Sequence, residues 1–111
     1  MNIKWNRLKP FPDPRKQQFL IAPFGPGVYE LINSKTGEHA IVGESKTVAY
    51  RMTSLLPQPF GSGTRNKHEK SVYVFENLPF IKYRTIPTKT KQEAKRIENY
   101  LQSKYKYIFS T

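Results

Sequence analysis

The sequence predicts a small α+β domain in which an antiparallel sheet of about three strands is flanked by helices. Three observations carry that expectation. Residues 25–45, GPGVYELINSKTGEHAIVGES, place two apolar runs around the turn-forming stretch SKTG. Residues 80–87, FIKYRTIP, form a further run of strand type. Residues 90–104 repeat apolar positions at helical spacing behind a capping signal. The chain has 111 residues, enough for one domain and too few for two comfortable ones.

Residues 1–24 carry Pro10, Pro12, Pro14 and Pro23, so LKPFPDP cannot be a helix interior or a central strand. They predict an extended basic N-terminal arm, packed by Trp5, Phe11 and Phe19, ahead of a domain over residues 25–111. Lys4, Arg7, Lys9, Arg15 and Lys16 of that arm could also track a phosphate backbone. In residues 27–33, Val28, Glu30 and Ile32 alternate with Tyr29, Leu31 and Asn33. Asn33 to Gly37 turn, and His39 to Val42 return as a second strand. The loop is too short for a crossover, so the pair is antiparallel. Ser45 is expected to cap a helix with Val48, Met52 and Leu55 on one face, ended by Pro57 and Pro59. Residues 57–70, PQPFGSGTRNKHEK, predict a basic loop, either a solvated connection or a phosphate contact through Arg65, Asn66, Lys67 and Lys70. Lys46, ahead of the helix, joins that set. Residues 71–76, SVYVFE, predict a short strand or extended segment. Thr90 caps the last helix, with Glu93 completing a capping box and Ala94, Ile97, Leu101 and Tyr105 forming the apolar stripe. The predicted order is β-β-α-(β)-β-α.

Nineteen Lys and Arg oppose eight Asp and Glu, a net charge of +11. Such a balance attracts polyanions and points to a nucleic-acid partner, without separating DNA from RNA. The absence of cysteine excludes disulfides, thiolate chemistry and cysteine-ligated zinc. No apolar run approaches a membrane span and the N-terminus has no apolar signal core, so a cytoplasmic protein without a membrane partner is expected.

Two charges fall near apolar stripes. Arg51 lies between Val48 and Leu55, and Glu98 lies beside Ile97 and before Leu101. A lone charge facing a core costs several kcal/mol as an order of magnitude, so each needs a partner, a metal or a wet cleft. Either they snorkel to water from the stripe edges, or they pair with each other, or they converge with Tyr29 in a basic cleft. In the third case Glu98 would hold Mg²⁺ or Mn²⁺ through oxygen, Arg51 would bind non-bridging phosphate oxygens, and Tyr29 would orient or deprotonate water.

These residues resemble the GIY-YIG nuclease domain. Gly27-Val28-Tyr29 is similar to the first signature element and Ile41-Val42-Gly43 to the second, across a hairpin. Arg51 follows Gly43 at the spacing of the family's helix arginine, and Glu98 in EAKRIENYL matches the glutamate of its later helix. The resemblance covers Gly25 to about Leu101. It implies a metal-dependent phosphodiesterase acting on DNA, with Glu98 on the metal, Arg51 on the phosphate and Tyr29 as base. It also suggests a phage, mobile-element or bacterial accessory origin. The chain departs from the family at Ile41, where a tyrosine usually stands, and at Ser54-Leu55, where many members carry a histidine. Tyr50 and Tyr83 are the candidate substitutes for the missing tyrosine. A catalytically degenerate nucleic-acid-binding domain is the alternative. Glu44 is read either as a favourable charge at a helix start or as part of a metal's water shell. Without a separate recognition domain, weak sequence selectivity or selectivity for strandedness is expected, and a homodimer could add reading surface. Tyr73, Phe75, Phe80 and Tyr83 are either base-stacking residues or core.

Overall fold

The computed structural model describes residues 3–56 and 68–110. The expected hairpin forms from β2 (Gly27–Asn33) and β3 (His39–Ser45), antiparallel with Gly27 opposite Ser45 and a register shift between Leu31 and Ile32. Its turn closes with Gly37 at φ 78°, the left-handed region that favours glycine. Strand β4 (Ile81–Pro87) pairs along the other side of β2, from Gly27 opposite Pro87 to Asn33 opposite Ile81. Where β2 and β4 meet at Gly27, a Cβ would lie 2.4 Å from the Ile86 carbonyl oxygen. Close strand approach therefore requires glycine at position 27.

The sheet is wider than the sequence predicts. Residues Lys9–Pro10 add β1 to the edge of β4, and Phe109–Ser110 add β5 alongside β3, giving the order β1-β4-β2-β3-β5. β1, β4, β2 and β3 each run antiparallel to their neighbours in that order, and β5 runs parallel to β3. Two-residue strands carry no periodicity of their own and exist only through pairing. The proline-rich arm thus becomes an edge strand, where proline's missing N–H costs no ladder bond. Phe11 packs in the core on one face of the sheet and Trp5 against the core on the other, but Phe19, expected to pack the arm, is 82 % exposed.

Helix α1 (Val48–Met52) is followed by a 3₁₀ turn over Thr53–Leu55, and Val48, Met52 and Leu55 are buried as expected. The cap differs. Thr47 is the N-cap residue, while the Ser45 hydroxyl accepts the Thr47 backbone N–H at 3.0 Å. The segment 71–76 is not a strand: it lies within α2 (His68–Glu76). Valines at alternate positions imitate strand patterning, yet the buried positions Lys70, Ser71, Val74 and Leu78 recur at helical spacing. Packing decides between the two periods. Helix α3 (Lys91–Lys104) begins as predicted, with the Thr90 hydroxyl accepting the Glu93 N–H at 3.1 Å.

The two faces of the sheet carry separate cores. Tyr29, Leu31, Ile41 and Tyr83 pack with α1 and α2. Val28, Val42 and Ile86 pack under Ala94, Ile97 and Leu101 of α3. Helices α1 and α3 therefore cover opposite faces.

Candidate functional site

Glu98 is 1 % exposed at the junction of α3 with the sheet. Its Oε1 accepts a bond from Lys95 Nζ at 3.0 Å, one turn earlier. Nearby on β3, Glu44 Oε1 accepts from Lys91 Nζ at 3.1 Å. The Glu98 carboxylate holds the Lys95 ammonium above the usual lysine range, and the Glu44 charge adds to it. Both carboxylates thus act on one lysine. Among the described residues, Glu44 Oε2 and Glu98 Oε2 are buried without a hydrogen-bond partner. Those two oxygens are hard donors of the kind Mg²⁺ or Mn²⁺ prefers. The set is small, since no group of three or more His, Asp or Glu positioned for a metal occurs among the described residues. Glu44 thus lies in the last strand before the turn into α1, tied to α3 by an ion pair, and does not begin the helix.

A second buried carboxylate lies in the centre of the sheet. Glu30, fully buried on β2, receives Arg84 from β4 at 2.7 Å on Oε1 and His39 Nδ1 from β3 at 3.1 Å on Oε2. The Tyr107 hydroxyl donates to the same Oε2. Arg84 in turn lies over the Trp5 ring at 4.5 Å, and His39 stacks on Tyr105 at 4.3 Å. His39 is therefore part of a clasp that ties both chain ends to the sheet. Burial first, then the hydrogen bond to Glu30 and its negative charge, push the Tyr107 hydroxyl above its ordinary pKa of 10.0. Folding thus favours the neutral phenol. This contribution is complete below about pH 10, where the unfolded tyrosine also keeps its proton, and is lost as pH rises beyond it. Tyr107→Phe should lower stability at neutral pH by about 1–3 kcal/mol. Its denaturation midpoint should also fall less steeply than wild type above about pH 10. Urea titrations on the two proteins across that range measure both effects, and parallel curves would contradict the Tyr107 assignment.

The remaining predicted site residues are dispersed. Tyr29 is fully buried on the face covered by α1 and α2, and Gly43, its ladder partner, is also buried. Val28 and Val42 belong to the α3 face, and Ile41 to the other core. Arg51 and Lys46 are exposed. No ion pair among the described residues joins Arg51 to Glu98, whose partner is Lys95. Arg51 follows the simplest course open to it, running to solvent from the edge of the α1 stripe. Tyr29 and α1 belong to one face of the sheet and α3, which carries Glu98, to the other. Lys70 lies buried in α2 rather than in a solvated loop. Arg65, Asn66 and Lys67, with the predicted stop at Pro57 and Pro59, lie outside the described residues.

The aromatic expectations divide in the same way. Tyr83 is core, and its hydroxyl bonds the backbone of Ile21, so it is not a substitute for the missing motif tyrosine. Tyr73 and Phe75 pack against the core, and Phe80 lies under Lys35 at 5.0 Å. Tyr50, by contrast, is 77 % exposed. Among the described residues no helix is long and apolar enough to cross a membrane. Comparison with protein-family models, with curated proteins and with solved structures found no match to this chain.

Proposed function

We propose that the chain is a basic nucleic-acid-binding domain of GIY-YIG-like architecture, engaging DNA or RNA chiefly through phosphates, with the nuclease constellation degenerate. The observation that carries this reading is where the acids go. Asp13, Glu30, Glu44 and Glu98, four of the eight, are held in ion pairs within the fold. The exposed charge is mostly cationic, with Arg7, Lys46 and Arg51 among it, against exposed Glu38, Glu69 and Glu76. The degenerate form is supported by Lys95, whose half-exposed ammonium already bonds one Glu98 oxygen, and by the burial of Tyr29 on the opposite face. Titration of a labelled duplex and of single strands with the protein at rising salt tests the reading. Affinity should fall linearly on a log–log plot, with a slope of about −0.9 per neutralised phosphate on duplex DNA. Absence of binding at low salt, or binding indifferent to salt, would overturn it.

A metal-dependent phosphodiesterase is the second reading, favoured by the unpaired, buried Oε2 of Glu98. Glu98, with Glu44, would hold Mg²⁺ or Mn²⁺, whose chemistry is to polarise a phosphate oxygen and stabilise a leaving one. Arg51 would bind non-bridging oxygens from the surface. Incubating labelled DNA and RNA with the protein in Mg²⁺, in Mn²⁺ and in EDTA separates the two readings. Uncleaved but bound substrate supports the binding domain. Metal-dependent cleavage that disappears in Glu98→Gln, with binding retained, puts the enzyme first.

A further inference from the structure

The segment Gln18–Gly25 crosses the α1/α2 side of the sheet with an unusual distribution of apolar side chains. Leu20 and Ala22 turn inward against the core. Phe19 and Ile21 turn outward, 82 % and 63 % exposed, and Phe24 follows at 89 %. Over Phe19–Ala22 the alternation is that of an extended strand with both sides apolar, and Phe24 breaks it to face outward. Solvent alone gives no reason for the outer one. Isolated exposed apolar residues need no explanation; a contiguous run of them marks a contact surface.

This segment is held in place. The Tyr83 hydroxyl accepts the Ile21 N–H at 2.9 Å and donates to the Ile21 carbonyl at 3.2 Å. Farther along, the Pro23 carbonyl accepts the Ala49 N–H at 2.8 Å, and the Gly25 carbonyl accepts the Val48 N–H at 3.1 Å. Phe24 is thereby brought beside the start of α1, the helix that carries exposed Tyr50 and Arg51. At the other end, Phe19 and Ile21 form one wall of a groove of about 380 Å³, together with Leu8, Arg7 and Lys9, and no acid lines it. Apolar and aromatic surface runs along the middle, with cations at both ends.

We infer that this face binds single-stranded nucleic acid, with unpaired bases stacking on Phe19, Phe24 and Tyr50 and phosphates meeting Arg7 and Lys9 at one end and Lys46 and Arg51 at the other. The inference rests on the nucleic-acid reading and adds strandedness to it. The cations argue for a polyanion and against a second copy of this chain, whose own charges would repel across the same face. The aromatics select the strand form. A duplex keeps its base faces stacked inside and offers phosphates and groove edges, whereas a single strand presents the faces themselves. Preorganisation by these four hydrogen bonds, two from the Tyr83 hydroxyl and two from the α1 backbone, lowers the ordering cost of holding such a platform open.

The test uses the full chain, a labelled mixed-sequence DNA strand, its duplex and the matching RNA strand. Phe19→Ser with Phe24→Ser should weaken single-strand binding about tenfold or more, leave duplex binding nearly unchanged and preserve the melting curve. Phe24→Trp should retain affinity, and its added fluorescence, read against wild type with Trp5 alone, should be quenched by the single strand the face takes and not by the duplex. Comparison of the DNA and RNA strands identifies which one the face takes. Equal effects of the serine variant on strand and duplex, or none on either, would overturn stacking while leaving phosphate binding intact. No binding of any nucleic acid by wild type would overturn both readings. A wild-type dimer that becomes monomeric in the serine variant would assign the face to self-association and overturn the inference.

Discussion

Glu30→Ala is expected to destabilise the protein by about 3–5 kcal/mol, because removing one member of a buried charge cluster strands the others. For a domain of this size that corresponds to a fall in melting temperature on the order of 15–30 °C. The reason lies in the three groups that converge on one carboxylate. Arg84 comes from the neighbouring strand, His39 from the other neighbour and Tyr107 from the chain's C-terminal segment. Alanine leaves the Arg84 guanidinium half-buried without its counter-ion and releases the hydroxyl that anchors residues 105–110. Glu30→Gln should fall between wild type and alanine, since the amide keeps a hydrogen bond to each side but loses the charge. Combining Glu30→Met with Arg84→Met should cost less than the sum of the two single changes, because no lone charge then remains. Thermal and urea unfolding of the five variants, the two methionine singles and their double included, measures this. A Glu30→Ala protein as stable as wild type would refute the clasp.

Glu98→Leu should move stability the other way, leaving it unchanged or raising it by up to about 4 kcal/mol. Glu98 is as deeply buried as Glu30 but far less well served. One oxygen has a lysine, and among the described residues the other has no partner. Lys95 is half exposed, so solvent screens the return on that pair. Leucine fits the neighbouring apolar stripe of Ala94, Ile97 and Leu101 and removes an unsatisfied buried oxygen. Urea midpoints of wild type and Glu98→Leu decide the matter, and a clear loss of stability would mean that the carboxylate is satisfied after all. A stabilised variant would mark Glu98 as a residue kept at a cost to the fold, which is the behaviour of a functional group. A rise in wild-type melting temperature with Mn²⁺, absent in Glu98→Leu, would then identify a cation as the partner of Oε2.

The contrast between these two glutamates explains how far the sequence could be read. The hairpin over residues 27–45, the strand at 81–87 and the capped helix from Thr90 were legible because each is signalled by neighbours: a turn, an alternation, a capping box. The stripe of Val48, Met52 and Leu55 was legible for the same reason. The misread segment 71–76 fits both periods locally, and only the neighbours of Val74 and Leu78 select the helix. Strands of two residues, β1 and β5, have no local signature at all. Glu30 stood in plain view as an acid within an apolar strand, opposite Arg84 in the observed register, but that register is a tertiary fact.

What the sequence determined by itself is the α+β class, the antiparallel hairpin, the flanking helices and a strongly cationic character, because these follow from short-range periodicity and composition. The tertiary structure alone decided which face each helix covers. That choice separated Tyr29 from Glu98, gave Glu98 to Lys95, sent Arg51 to solvent and turned Phe19 and Phe24 outward. The physical reason is that side-chain direction on a sheet alternates with every residue, so the meaning of a motif depends on which layer is packed against which face. Spacing along the chain carries the residues of a site, and the packing of the layers decides whether they meet.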